Sequence, residues 1–412
     1  MDAVLVTSVL VIFAGGFSAS GYVPLAPFLA SRSGVGILLS VQGLASCIAL
    51  VPSGRAVDRF GSEHILRKGF VVFALSLLFA SISTSFAAQL MGRIASGAGG
   101  AMLFSSGMAM IMERFQDPTR SEYVGNSIGM GTLGNLAGPP VAGYIYAFAT
   151  ESGVGEPQAL ALLPAGVLLG LACLAFQRVP KVDFSSKVPL LEEKQSQEGL
   201  LLRFFGVYAV VGVRSWVISF ALSCLFGAQT ALLCAGALEM QAHGFTTREI
   251  GLIPVPAGIL QAIMSRWGGR MAGTPWRRIY IMILSPLALA VSLLCCSALS
   301  SFYPAGGVTL PIVLALGAGS ATMAVADAPS ISLMSDLAVQ HGRGYGEAMT
   351  ASELAVTAGQ AMGPSLAVLM LQQGGFDGLC LFFAACAVLV SCACAAFLRH
   401  VENVEDAPQG TA

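Results

Sequence analysis

Asp327, Glu353, Arg93 and Arg214 are ionisable residues standing inside stretches that are otherwise apolar. A charge in such a setting is costly, and ionisable groups within membrane segments mark ion pathways, proton relays or ligand contacts. Glu353 lies deep in the run that opens at Tyr345, and Asp327 lies deep in another, followed closely by Pro329. Desolvation disfavours the ionised form of a buried carboxyl, so either acid is suited to taking up and releasing a proton near neutral pH. The competing reading for both is a fixed hydrogen bond or ion pair between helices. Arg93 reads either as a functional cation or as one that snorkels to nearby headgroups, and Arg214 either snorkels or contacts an anionic group. Gln42, Asn126, Asn135, Gln229 and Gln261 are further candidates for hydrogen-bonding a solute in a cavity.

Three glycine patterns accompany these charges. Gly54-Arg55-Ala56-Val57-Asp58-Arg59-Phe60-Gly61 reads as a tight connection in which Gly54 allows close approach and Gly61 a positive φ. Asp58 and Arg59 supply charges that can lock two bundles in one state and release them in another. Arg93 begins Arg93-Ile94-Ala95-Ser96-Gly97-Ala98-Gly99-Gly100-Ala101. Gly125 is followed by Gly134-Asn135-Leu136-Ala137-Gly138-Pro139-Pro140-Val141-Ala142-Gly143, where glycines four apart offer a smooth helix face and the prolines bend it.

The elements that must hold these residues are membrane spans. Only 10% of the 412 residues are charged and 55% are hydrophobic, against roughly 25% charged in soluble domains, and mean hydropathy is +0.77. A span needs about 20 mostly apolar residues. Twelve such stretches are expected, at 4–29, 34–54, 66–87, 89–112, 122–147, 157–177, 206–238, 249–268, 279–299, 308–335, 345–371 and 376–398. The first carries no basic leader and reads as a span, not a signal peptide. The chain divides into an N-terminal six-helix bundle (1–178), a polar linker (179–203), a C-terminal six-helix bundle (204–400) and a tail (401–412).

Of the 21 Lys and Arg residues, only Arg32 and Arg248 fall in loops on one side, and Arg93 and Arg214 fall within spans. The rest share the opposite side, so both termini and the linker are expected in the cytoplasm, with the particular cellular membrane left open. Internal repetition supports an even number of spans. Gly97 to Ala101 is echoed by Gly317-Ala318-Gly319-Ser320-Ala321, and Gly134-x-x-x-Gly138-Pro139 by Gly359-x-x-x-Gly363-Pro364, at offsets of 220 and 225. Gly54-Arg55 is echoed by Gly269-Arg270 at 215. A duplicated six-span unit places a cavity between the halves near the bilayer midplane.

The ten cysteines lie mostly in apolar runs without metal-ligand spacing and read as small core residues. No metal, organic cofactor or nucleic-acid partner is expected, and no nucleophile-base pair, metal cluster or phosphate-cradling loop suggests an enzyme.

The Gly54–Gly61 element fits G-x-x-x-D-R-x-G between the second and third spans, and here the chain resembles the major facilitator superfamily. Arg93 and the glycines after it resemble that family's R-x-x-x-G-x-G-x-A element, whose Arg is implicated in proton transfer in proton-coupled members. The run from Gly125 to Gly143 resembles the antiporter signature of the drug:proton branch, with Ala142 replacing one Gly. Tyr345-Gly346, Glu353 and Gly363-Pro364-Ser365 resemble the vesicular amine transporter branch, with Glu353 at its intramembrane acid. With Pro24 and Pro27 aligned, Gly15 and Gln42 stand where that branch carries an acid and a base.

The resemblance implies an all-α membrane protein with twelve helices in two pseudo-symmetric bundles. It also implies a proton-coupled antiporter exporting or sequestering a small drug-like or amine solute, monomeric, with lipid as its other partner. Alternatives are a uniporter or symporter of a neutral or anionic metabolite, with Arg93 or Arg214 contacting it, and a non-transporting receptor or scaffold.

Overall fold

Hydrocarbon offers no partner to a bare peptide group, so a chain this apolar closes its backbone bonds within helices. In the computed structural model, which describes residues 3–82, 85–115, 119–179, 208, 210–271, 274–300, 309–341 and 345–398, the regular elements are all helices. The linker beyond Val179 and the tail lie outside the described residues.

The membrane helices of the first half are α1 (Ala3–Gly21), α2 (Arg32–Phe60), α3 (Ser62–Ile82), α4 (Phe86–Arg114), α5 (Thr119–Glu151) and α6 (Pro157–Phe176). Those of the second are α7 (Val213–Ala242), α8 (Thr247–Met271), α9 (Pro275–Ser300) and α10 (Thr309–Gln340), then the stretch Tyr345–Leu398. Gly375, with φ 61° and ψ −159°, divides that stretch into α11 before it and α12 after it. This is a backbone region open essentially to glycine alone. Ten described stretches are long and apolar enough to span on their own. α11 and α12 form one of them, and α5, diluted by Gly, Asn and Pro, completes the twelve.

Local chemistry sets several ends. The Ser31 hydroxyl accepts the Gly34 amide at the start of α2, Ser85 accepts that of Ala88 at α4, and Thr246 with Glu249 forms a capping box at α8. Two expectations need correction. The first span does not run to residue 29, because α1 stops at Gly21 and a separate turn of helix covers Ala26–Leu29. The Gly54–Gly61 element is not a loop: α2 continues to Phe60 and Gly61 alone, at φ 87°, turns the chain into α3.

Each half repeats one packing scheme: α5 on α1 as α11 on α7, α4 on α2 and α3 as α10 on α8 and α9. Glycine makes the approach possible. A Cβ on Gly134 or Gly138 would collide with the α1 backbone at Phe13 and Phe17, and one on Gly359 or Gly363 with the α7 backbone at Ser223 and Gly227. An ion pair ties each bundle at one end, Glu63 with Arg114 (2.9 Å) and, with the charges exchanged, Arg278 with Asp336.

Candidate functional site

The halves meet along two seams. In the first, α2 runs antiparallel to α11. Gly36 faces Pro364 and Val368, Ser40 faces Ser365, Gly43 faces Ala361, Cys47 faces Thr357 and Gly54 faces Thr350. These α2 positions recur at helical spacing and all are small, so the backbones lie close. Ser365 donates to the Ser40 hydroxyl from both its amide (3.0 Å) and its hydroxyl (2.8 Å), and the Cys47 thiol donates to Thr357 Oγ1 (3.1 Å). In the second seam, Gly251 and Gly258 of α8 lie against Pro139 and Leu136 of α5, and Gly143 lies against Thr247. At this end, far from Gly61, Arg32 pairs with Glu239 (2.8 Å) and Gln241 donates to the Pro27 carbonyl (2.7 Å), closing that face between the halves.

The two acids sit in the second half beside the first seam. Thr357, which receives the Cys47 thiol, donates in turn to the Glu353 carbonyl at 2.9 Å. Glu353 is within electrostatic reach of both Cys47 and Asp327. Both acids are half-buried, and among the described residues neither carboxylate hydrogen-bonds or pairs with a cation. Two like charges in a poorly solvated site are relieved by a proton or by a cationic ligand. Ser320, seven residues before Asp327, shares its face of α10 and accepts a hydrogen bond from the Gln229 amide (2.8 Å). Gln229 Oε1 and Ser352 Oγ are buried without partners among the described residues.

Arg93 lies apart from these acids. It is 5% exposed, donates from Nε to the Leu38 carbonyl (3.2 Å) and lies 4.6 Å from the Tyr22 ring centroid, while the Tyr22 hydroxyl bonds to Gln89. That burial rules out snorkelling. Leu38 and Cys47 are nine residues apart on α2, so Arg93 and Glu353 are anchored at levels separated by about 13 Å along that helix. The structure therefore splits the expected proton-coupling group into a cation in one half and two acids in the other.

The other expected positions are dispersed. Arg59 is exposed, its guanidinium over Phe60 at 5.4 Å, while the side chain of Asp58 and the surroundings of Gly125 lie outside the described residues. Gln42 is half-buried, and its carbonyl is where a Cβ on Gly97 would strike. Asn135 is exposed beside Gly16, and a Cβ on Gly15 meets nothing within 4 Å. Arg214 is the second residue of α7, half-buried at the end of that helix, not midway along it. Sequence reasoning missed Tyr22, Gln89, the Arg32–Glu239 pair and the Cys47–Thr357 bond. Only the small residues recurring along α2 signalled a contact there.

The family model described as Major Facilitator Superfamily matches residues 8–351. The synaptic vesicular amine transporter of Homo sapiens is 25% identical over 373 residues, covering 90% of this chain and 68% of that one. The vesicular acetylcholine transporter of Homo sapiens is 31% identical over 117 residues, 28% of this chain and 22% of that one. The chain thus spans from about a fifth to about two thirds of these relatives' lengths. A crystal structure of a POT family transporter in complex with 5-aminolevulinic acid superposes with a TM-score of 0.72 over 96% of both chains at 13% identity, a likeness of fold. The chain belongs to the Major Facilitator Superfamily and is an integral multi-pass membrane protein.

Proposed function

We propose that the protein is a proton-coupled antiporter that exports or sequesters a small organic cation by alternating access, with its Gly61 side and both termini in the cytoplasm. The observation that carries this is the pair Asp327 and Glu353, half-buried, within electrostatic reach of each other and without a cation partner among the described residues. One ammonium group or one proton satisfies such a site, so the two compete for it. Competition is what exchange requires, since a ligand shifts an equilibrium only through its differential affinity for the two states. Loading of a proton from the far side releases the cation there, and loss of that proton to the cytoplasm restores binding. The similarity to vesicular amine transporters supports the solute class.

Arg93 then serves inside its own bundle, because its guanidinium is already engaged by Leu38 and Tyr22. That leaves the anionic-solute reading with less support. Glu353→Gln, reconstituted in liposomes with an imposed pH gradient, should lose gradient-driven amine accumulation by at least tenfold at equal protein content. Unchanged accumulation would remove Glu353 from the mechanism.

A further inference from the structure

The turn of α11 that carries Glu353 is gripped by side chains from both halves. From its own half, Tyr208, ahead of α7, donates its hydroxyl to the Ala351 carbonyl (2.9 Å), and Ser223 of α7 donates to that of Ala355 (2.7 Å). From the other half comes Cys47 of α2, whose thiol reaches Thr357 Oγ1 (3.1 Å). The Thr357 proton already goes to the Glu353 and Leu354 carbonyls, at 2.9 and 3.1 Å, so the bond across the seam uses the thiol proton. A thiol is a weak donor, which suits a contact that has to break and re-form.

The register of the first seam brings the acid into it. The contacts Gly36 on Val368, Gly43 on Ala361, Cys47 on Thr357 and Gly54 on Thr350 advance along α2 as they retreat along α11, residue for residue. On that register Glu353 stands at the level of the half-buried Val51, one turn from Cys47. Val51 offers it no hydrogen bond, and the ionisable groups near it are Asp327 of α10, Cys47 and, beside Cys47, Tyr208. Closing the seam over a bare carboxylate is therefore costly, whereas closing it over one neutralised by a proton or a cation is not.

The second seam does not repeat this arrangement. At the offsets of 215 and 225, Cys47, Thr357 and Glu353 correspond to Ala262, Thr132 and Ile128. Thr132 keeps the bond to its own helix, at the Ile128 carbonyl (3.4 Å), but Ala262 has no donor and Ile128 no charge. Thiol and acid are departures from the repeat that fall together, at one level of one seam.

We propose that Cys47 is a positioning residue of the exchange: by holding Thr357 across the first seam, it makes the two halves close in register over the turn that carries Glu353. Closure then depends on whether that acid is neutralised, and the empty, unprotonated protein does not cross between its two states. The inference rests on the assignment of Asp327 and Glu353 as the site of exchange.

The test measures how much solute moves per proton in liposomes containing the full-length protein under an imposed pH gradient. The probe is tetraethylammonium, whose fixed charge prevents it from crossing lipid as a neutral base, and an internal pH dye reports proton loss. Cys47→Val removes the donor at similar volume, Thr357→Val removes its acceptor, and Cys47→Ser keeps a donor. Ser223→Ala removes a bond to α11 made within the second half. Cys47→Val and Thr357→Val should each lower the ratio of probe to protons by about threefold or more, in line with the loss of one weak hydrogen bond. Cys47→Ser and Ser223→Ala should leave it unchanged. Misfolded protein lowers both fluxes together, so the ratio reads coupling and not yield. An unchanged ratio in Cys47→Val, or an equal fall in Ser223→Ala, overturns the role of Cys47. If Glu353→Gln still exchanges at the normal ratio, or the unmodified protein exchanges no tetraethylammonium, the assignment of the acids to cation exchange fails and this inference with it. If exchange needs Glu353 but its ratio ignores Cys47, only the positioning role fails.

Discussion

Gly251 of α8 lies directly against the carbonyl of Pro139 in α5, and the repeat reproduces this contact between Gly36 and Pro364 at the other seam. At both places a proline-bearing helix of one half crosses a glycine of the other, so the two halves touch backbone to backbone. Gly251→Ala drives a methyl group into the Pro139 carbonyl, whereas Gly36→Ala meets first a methyl of Val368 at 2.8 Å. Gly251→Ala should therefore lower initial transport rate more, about fivefold against about twofold. Equal effects in a flux assay at matched protein content would show that the nearest atom does not decide the cost.

Arg32 and Glu239 hold together the face remote from Gly61, with Arg32 47% exposed and Glu239 19%. An ion pair this exposed is worth at most about 1 kcal/mol. Glu239→Gln should shift the population toward the state open on that face by no more than about fivefold, and exchange of the two charges should restore it. Labelling of a cysteine introduced at Pro27 measures the shift, and no change with either variant would deny the pair a gating role.

Ser40 and Ser365 sit hydroxyl to hydroxyl across the first seam. If this contact separates during transport, Ser40→Cys combined with Ser365→Cys should crosslink on mild oxidation and stop flux, with recovery on reduction. Crosslinked protein that still transports at its reduced rate would mean that this part of the seam never opens.

Tyr22 bridges the buried Arg93 to Gln89. Tyr22→Phe keeps the ring under the guanidinium but removes the hydroxyl, and should destabilise the detergent-solubilised protein by about 1 kcal/mol. Arg93→Ala, which also strips the Leu38 carbonyl of its donor, should cost more. A reversed order in thermal unfolding would place the stability in the hydroxyl instead of the cation.

Span number and the internal repeat were legible, and Asp327, Glu353 and Arg93 stood out as candidates, because each depends on residue type and spacing along one helix. The glycines at 134, 138, 359 and 363 advertised close packing for the same reason, although not which helix they would meet. Arg93 shows the limit. Its depth read equally well as snorkelling or as proton transfer, and only the ring of Tyr22 and the carbonyl of Leu38 reveal a cation enclosed in its own bundle. The extent of α2 was misread because Gly54 looks like a breaker, yet helix geometry tolerates it until Gly61 takes a positive φ.

The order of residues, by itself, determined a membrane chain of twelve spans in two related sets with acids in the second set, since hydropathy, charge sidedness and internal repetition are properties of one dimension. Tertiary structure alone decided that Asp327 and Glu353 come within electrostatic reach of each other, that Arg93 stands at another level, and which small residues meet across each seam. Those relations join helices far apart in the chain, and they depend on how side chains of different size fill the space between backbones that the repeat makes nearly, but not fully, equivalent.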